Sequence, residues 1–218
     1  KEKSSLSTQV YKTLLDRLMQ NELVPGVILN RREVAAEMGV SVAPVLEAML
    51  QLEMEGFLES IPRKGTQVKP VTPEDIRGYL IVRQALECQA ARIYCGEPVA
   101  SHEADLMELA DRVDQTRPDT EEHWRHELDF HYALIELTEV PTLIKEYHRI
   151  MKMHVFYGLN RIVSSVDRGD IQDHGELVQR LKTKDPDAAE RIMREHSCSG
   201  KKGFMLKGLQ QNASFDIG

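Results

Sequence analysis

The sequence predicts a mostly α-helical protein in two parts, three helices with a hairpin followed by an antiparallel bundle of six helices. Three observations predict this class. Apolar residues recur at helical spacing through most of the chain, proline and glycine separate the periodic segments, and aromatic residues make up only 6% of the 218 residues. This length suffices for one large domain or two small ones.

Composition excludes several classes of protein. Hydrophobic residues make up 41% and charged residues 29%, which is ordinary for a globular chain and unusual for a disordered or fibrous one. No apolar run approaches the roughly 18 residues that span a bilayer, and residues 1–18 are amphipathic rather than signal-like. Three cysteines are too few for a disulfide scaffold. We therefore expect a cytoplasmic protein without a membrane partner.

The first third of the chain predicts three helices. The apolar stripe of the first comprises Val10, Leu14, Leu15 and Leu18. A second helix is predicted from Arg32 to Met38, closed by Gly39. A third follows Ser41, whose hydroxyl is expected to cap it, and runs to about Glu55.

Two alternating runs follow, residues 57–61 and 66–68, around a turn that carries Arg63, Lys64 and Gly65. This pattern predicts a hairpin with a basic tip. Three helices with a tight junction between the second and third, followed by such a hairpin, predict a winged helix-turn-helix over residues 1–70.

Residues 69–73 contain two prolines and predict a linker to a second domain, residues 73–218. The periodicity of this domain predicts six helices with short connections, an antiparallel bundle. Their predicted spans are 74–95, 100–116, 120–138, a segment opened by Pro141, 168–183 and 186–208.

Charge is spread unevenly between the two parts. Residues 1–70 carry nine Lys and Arg against nine Asp and Glu, so the whole net charge of −7 lies after residue 70. A nucleic-acid partner would therefore have to be bound locally by the first part.

The stretch LVPGVILNRREVAAEMGVSVAPVLEAMLQLEMEGFLESIPRKGTQV, residues 23–68, resembles the GntR family of bacterial transcription regulators. The matching positions are Pro25-Gly26, Leu29, Gly39-Val40-Ser41, Pro44-Val45, Glu47-Ala48, Leu52, Glu55-Gly56 and Gly65. The helical remainder resembles the FCD effector domain of the FadR subfamily, closest to its VanR-type branch. The segments that carry this second resemblance are Glu127-Leu128-Asp129-Phe130-His131, Asp173-His174 and Arg194-Glu195-His196.

The resemblance implies a regulator that binds double-stranded operator DNA through the winged domain. The residues expected to contact DNA are Arg31, Arg32, Ser41, Arg63 and Lys64. The family has arginines where this sequence has Val42 and Leu46, so the third helix lacks side chains for bidentate contacts with guanine. A winged domain that serves as a dimer scaffold or contacts another protein is the alternative.

Four residues of the second part form a candidate metal site. Glu127 and His131 are four apart on one predicted helix and share a face. His174 and His196 lie about ten residues before and after the turn near Lys184, so the rise of a helix sets both about 15 Å from that turn. Antiparallel packing of the two helices therefore brings the two histidines level with each other. One carboxylate and three imidazoles suit Zn²⁺, Ni²⁺ or Mn²⁺. In the resembled family an aspartate occupies the position of Glu127. The alternative for each histidine is a core residue with satisfied hydrogen bonds.

Arg83 and Glu87 are also four apart and predict either a helix ion pair or an arginine that holds an effector carboxylate. Histidines 123, 126, 148 and 154 are expected at the surface or behind the ligands.

Together these features predict a homodimeric, ligand-responsive transcription regulator with a metal-anchored small organic acid effector. The metal site alone would also allow a metalloenzyme, but no Ser-His or Cys-His pairing accompanies it, so we expect no enzyme.

Overall fold

The computed structural model describes residues 5–117, 120–156 and 173–198. These residues fall into two compact units. The winged unit extends to Pro73 and includes Val155 and Phe156, and the helical unit comprises residues 74–154 and 173–198. The elements of the winged unit are α1 (Leu6–Met19), β1 (Ile28–Leu29), α2 (Arg31–Met38), α3 (Val42–Met54), β2 (Leu58–Ile61) and β3 (Gly65–Val68).

Local chemistry sets the bounds of α2 and α3. The Oδ1 of Asn30 accepts a hydrogen bond from the backbone N–H of Arg32 over 2.9 Å, which satisfies a free donor at the start of α2. Gly39 ends α2 at φ +64°, a left-handed conformation that favours glycine. Ser41 stands at the N-cap of α3, but its hydroxyl makes no capping hydrogen bond there, in contrast to the sequence prediction.

The hairpin predicted from the sequence is present, with Leu58 opposite Val68 and Ile61 opposite Gly65. The two-residue strand β1 was not predicted; it pairs with β3 and makes an antiparallel sheet of order β1-β3-β2. Arg63 adopts φ +64° at the tip of the turn. The core of this unit lies between α1, α3 and the sheet, and its buried members include Val10, Leu14, Leu18, Val45, Ala48, Met49, Leu52, Phe57 and Val68.

The helical unit contains seven helical segments among its described residues. They are α4 (Pro73–Tyr94), α5 (Glu97–Ser101), α6 (Glu103–Gln115), α7 (Glu121–Glu136), α8 (Pro141–Phe156), α9 (His174–Leu181) and α10 (Pro186–Cys198). The helix predicted over 100–116 is divided at His102, the C-cap of α5, whose ring Nδ1 hydrogen-bonds the carbonyl of Pro98. Parts of the helices predicted over 168–183 and 186–208 lie outside the described residues.

A continuous apolar core joins these helices. Its fully buried members include Tyr94, Phe130, Leu134, Tyr147, Val178, Leu181 and Ala189. The carboxylate of Asp185 accepts a hydrogen bond from the backbone N–H of Asp187 over 2.9 Å and caps α10. No helix in the described part of the chain is long and apolar enough to cross a membrane.

Candidate functional site

Three histidines from three helices converge inside the helical unit. His131 lies on α7, His174 begins α9 and His196 lies near the end of α10. One ring nitrogen from each lies within 4.8 Å of the others, a spacing at which the three could hold one metal ion. The ring centroids of His174 and His196 are 5.0 Å apart, in keeping with their equal distances from the turn between α9 and α10.

Glu127 lies one turn before His131 and contacts two of the three histidines. Its carboxylate oxygens are 3.4 Å from the Nε2 of His131 and 3.4 Å from the Nε2 of His174. Asp129, the other carboxylate of this segment, is exposed. The four predicted ligands therefore lie together, with Glu127 against His131 and His174.

Asp114 of α6 holds His174 in place. The Nδ1–H of His174 donates to Asp114 Oδ1 over 2.6 Å, and the backbone N–H of His174 donates to Oδ2 over 3.0 Å. The Nε2 of His174 is then directed to the cluster. A histidine that binds a metal through one nitrogen commonly donates the other N–H to a carboxylate in this way. Sequence reasoning missed Asp114, because no local pattern links it to a residue 60 positions away.

Two ring nitrogens of the cluster are buried without a hydrogen-bond partner in the described residues, His174 Nε2 and His196 Nδ1. Such unsatisfied atoms are rare in protein interiors and call for an explanation such as an absent ion. Three imidazoles and one carboxylate are a donor set typical of Zn²⁺ and related divalent ions. The residues present therefore fit a metal.

The pKa values of the clustered residues depart from their ordinary values. Burial opposes a charge on His174, but the hydrogen bond to Asp114 and the nearby carboxylate of Glu127 outweigh burial and raise its pKa to about 9. Burial together with the neighbouring His131 and His174 holds the pKa of His196 well below its usual range. Burial would raise the pKa of Glu127, but the neighbouring His131 and His174 hold it well below the ordinary value. The carboxylates around the cluster thus favour a positive charge within it, and a bound metal ion could supply that charge.

Glu87 of α4 lies behind His131 and is almost completely buried. Its Oε1 accepts hydrogen bonds from the Nε–H of Arg83 over 2.8 Å and from the hydroxyl of Tyr147 over 2.7 Å. Its Oε2 accepts one from the hydroxyl of Ser197 over 2.7 Å. The Nδ1 of His131 lies 3.5 Å from Oε1. Burial would raise the pKa of Glu87, but the charge of Arg83 holds it far below the usual value. Glu87 therefore connects α4, α7, α8 and α10 around the histidine cluster.

A small cavity opens beside the cluster, and Arg83 lines it. The other lining residues are Trp124, Glu127, Leu128, His131, Met151 and His154. Arg83 is thus a partner of Glu87 and also a cavity residue. The ion pair is present, and the role of Arg83 in holding an effector carboxylate stays a prediction. The ion pair is buried, in contrast to an ordinary surface pair between helix turns.

The remaining histidines divide between the two expected places. His123 and His154 are buried, and His154 lines the same cavity as Glu127 and His131. The Nε2 of His123 lies 3.7 Å from a carboxylate oxygen of Glu127, behind the predicted ligands. His126 hydrogen-bonds the Thr116 hydroxyl, and His148 stacks on Tyr132 with ring centroids 4.2 Å apart.

The winged unit presents basic side chains at its surface. Arg32 in the first turn of α2 is exposed, as are Arg63 and Lys64 at the tip of the hairpin and Ser41 before α3. Arg31 is half-buried, and its Nη2 donates to the Thr66 hydroxyl over 3.4 Å.

The two units match two known families. The gntR family of bacterial regulatory proteins matches residues 6–68, and the FCD domain matches residues 80–197. The HTH-type transcriptional repressor RspR of Escherichia coli is 26% identical over 200 residues, which cover 88% of this chain and 85% of RspR. A probable D-xylose utilization operon transcriptional repressor of Paenarthrobacter nicotinovorans is 26% identical over 204 residues, covering 89% of this chain and 86% of that protein.

Solved structures show the same fold. E. coli McbR/YncC aligns with a TM-score of 0.66 at 23% identity, over 96% of this chain and all of that chain. A putative GntR regulator from Rhodococcus sp. RHA1 aligns with a TM-score of 0.64 at 21% identity, over 98% of this chain and all of that chain.

A helix-turn-helix unit with a basic wing, joined to a helical unit that encloses polar residues, defines a DNA-binding transcriptional regulator and not an enzyme. The chain belongs to the gntR family of bacterial regulatory proteins and carries a C-terminal FCD domain. The metalloenzyme alternative is therefore set aside.

Proposed function

We propose that the protein is a metal-dependent, ligand-responsive repressor that binds operator DNA as a homodimer. The observation that carries the proposal is the convergence of His131, His174 and His196, with two buried ring nitrogens unsatisfied. These residues and Glu127 would hold a divalent ion such as Zn²⁺, Ni²⁺ or Mn²⁺. When bound, the ion would offer open coordination positions to an anionic effector.

Arg83 supports a carboxylate as that effector. Its Nε is used by Glu87, and its side chain lines the cavity that Glu127 and His131 also line. A guanidinium is planar and can donate two parallel hydrogen bonds to one carboxylate. The remaining lining residues, Trp124, Leu128 and Met151, are largely apolar. This lining has the chemistry to bind a small organic acid with a short apolar body, but the cavity has room for little more than one water molecule. Such an effector would bind only after the lining side chains move apart.

The exposed side chains of the winged unit support the DNA part of the proposal. Arg32, Arg63 and Lys64 would contact phosphates, with Arg31 and Ser41 nearby on α2 and before α3. Dimers of helix-turn-helix proteins bind two half-sites about one helical turn of DNA apart. Repression is proposed because two relatives, RspR and the D-xylose operon regulator, carry that description. Operator DNA lies in the bacterial cytoplasm, which agrees with the expected localisation.

Removal of the metal tests the proposal. A ligand that binds only the folded chain stabilises it by about 2.7 kcal/mol at a hundredfold excess over its Kd. We therefore expect EDTA to lower the melting temperature of the wild type and added Zn²⁺ to restore it. His174→Ala and His196→Ala should abolish this response, and Glu127→Ala should weaken it because three imidazoles remain.

The matched control is His102→Ala, since His102 is exposed and its ring bonds only its own helix in the described residues. This variant should keep the full response to EDTA. A wild type that contains no metal by elemental analysis, and whose melting temperature is indifferent to EDTA and to added Zn²⁺ or Ni²⁺, would refute the metal site. The three histidines would then be core residues.

A further inference from the structure

The exposed side of α3 carries a row of apolar side chains and no cation. The helix VAPVLEAMLQLEM contains two glutamates and neither lysine nor arginine. Val42 is 42% exposed, Leu50 46% and Met54 87%, and Leu46 between them is half-buried. These four residues follow one another at intervals of four, so they form one ridge along the helix, which we call the apolar ridge.

The apolar ridge is not part of the core of the winged unit. The opposite face of α3 buries Val45, Ala48, Met49 and Leu52, which pack within that unit. The ridge is the surface that the second helix of a helix-turn-helix turns toward the major groove, where its N-terminal residues contact base edges. Val42 and Leu46 occupy that N-terminal part.

The chemistry of the ridge selects among bases. Guanine presents two acceptors in the major groove, O6 and N7, and arginine or lysine can donate hydrogen bonds to both. Since α3 has neither residue, it cannot contact guanine in this way. The exposed carboxylate of Glu47 disfavours those acceptors further. Thymine presents a C5-methyl group in the same groove, and apolar side chains pack against it.

We propose that Val42 and Leu46 recognise thymine methyl groups, so that the operator half-site has A·T pairs where α3 enters the groove. Arg32, Arg63 and Lys64 supply the charge that holds the duplex, and the ridge supplies the sequence preference. This inference rests on the DNA-binding role proposed for the winged unit. It adds the class of base that the unit selects.

The test compares thymine with deoxyuridine, which pairs identically but lacks the methyl group. Duplexes enriched by the full-length protein from a random-sequence library would be synthesised with one thymine at a time replaced by deoxyuridine. Burial of one methyl group is worth about a fourfold change in Kd. We expect a loss of about fourfold at one or two positions of each half-site, measured by fluorescence anisotropy at fixed salt.

Variants assign the effect to the ridge. Val42→Ser should bind the thymine and deoxyuridine duplexes equally at the position that Val42 contacts. The matched control is Met54→Ser, an exposed apolar residue of the same helix that lies about 18 Å from Val42 along the axis. It should leave the thymine preference unchanged.

Two results would overturn the inference, and they differ. Salt-dependent binding of an enriched sequence that is indifferent to every deoxyuridine substitution would leave DNA binding intact and refute recognition of methyl groups. No enrichment and no binding to any duplex would refute DNA binding by the winged unit itself, and the ridge would then be a surface for a protein partner.

Discussion

The winged unit and the helical unit differ in whether their polar and charged side chains lie at the surface or in the interior. Among the described residues, ten polar or charged side chains are buried, and nine of them belong to the helical unit; Thr66 is the exception. The winged unit instead exposes Lys12, Arg32, Arg63 and Lys64 over an apolar interior. Substitutions should therefore act differently in the two units, on surface binding in the first and on stability and enclosed ligands in the second.

The largest effect is expected from Glu87→Ala. The substitution leaves the buried Arg83 without its counter-ion and removes the acceptor of the Tyr147 and Ser197 hydroxyls. Breaking a buried ion pair from one side costs about 3–5 kcal/mol. We expect a loss of that size in the free energy of unfolding, measured by denaturant titration in EDTA so that metal binding does not contribute.

Glu108→Ala is the control for this variant. Glu108 pairs with Arg112 one turn away on α6, and both side chains are more than half exposed. An exposed pair of this kind is worth at most about 0.5 kcal/mol. If both variants lost the same small amount, the enclosed carboxylate of the helical unit would contribute no more than a surface charge.

Asp114→Asn should have the next largest effect, on metal affinity. The amide oxygen of the substituted side chain could still accept a hydrogen bond from the His174 ring, but the side chain would carry no charge to strengthen the basicity of that ring. Loss of such an outer partner typically lowers metal affinity 10- to 100-fold. We expect about a tenfold weaker Kd for Zn²⁺, near the low end of that range, measured by competition with a chromogenic chelator.

Asp111→Asn, a substitution of an exposed residue on the same helix, is the matched control and should leave the Kd for Zn²⁺ unchanged. Equal affinities of the Asp114 and Asp111 variants would mean that the contact between Asp114 and His174 does not support metal binding.

Sequence reasoning succeeded for features that depend on helix geometry. The equal distances of His174 and His196 from one turn predicted that they would lie side by side, because the rise of a helix is constant. Gly39 predicted the end of α2 because few other residues adopt its positive φ.

Features that depend on which helix faces meet could not be predicted in this way. Asp114 and Ser197 contact partners 60 and 110 positions away, and no local pattern records such a distance. The short strand β1 owes its conformation to pairing with β3 rather than to its own two residues. The sequence alone identified Val42 and Leu46 as residues that stand where the family has arginines. Only the structure showed that the apolar ridge is exposed and continues to Met54.

Arg32→Ala and Lys64→Ala test the surface chemistry of the winged unit. Each phosphate contact that is lost should weaken binding to all duplexes alike and make the dependence of log Kd on log salt shallower by about one unit. Neither variant should alter the response of the melting temperature to EDTA. Lys12→Ala, an exposed lysine on α1, serves as the control. Slopes equal to the wild type in both variants would favour a protein partner.

The smallest effect on stability is expected from Ser41→Ala. An N-cap side chain that accepts a backbone N–H usually contributes about 1 kcal/mol, but the Ser41 hydroxyl makes no such bond with α3. Its loss should change the free energy of unfolding by no more than about 0.3 kcal/mol, well under the usual N-cap contribution, while weakening DNA binding if the hydroxyl contacts a phosphate.

Asn30→Ala supplies the comparison, because Asn30 does cap α2 and its removal should cost about 1 kcal/mol. Both variants would be measured by denaturant unfolding and by anisotropy with the same enriched duplex. Equal destabilisation by the two would indicate that the Ser41 hydroxyl caps α3 in solution. A stable Ser41→Ala protein with weakened DNA binding would instead assign the hydroxyl to the DNA surface, since a residue that stabilises nothing within its own unit is free to contact a partner.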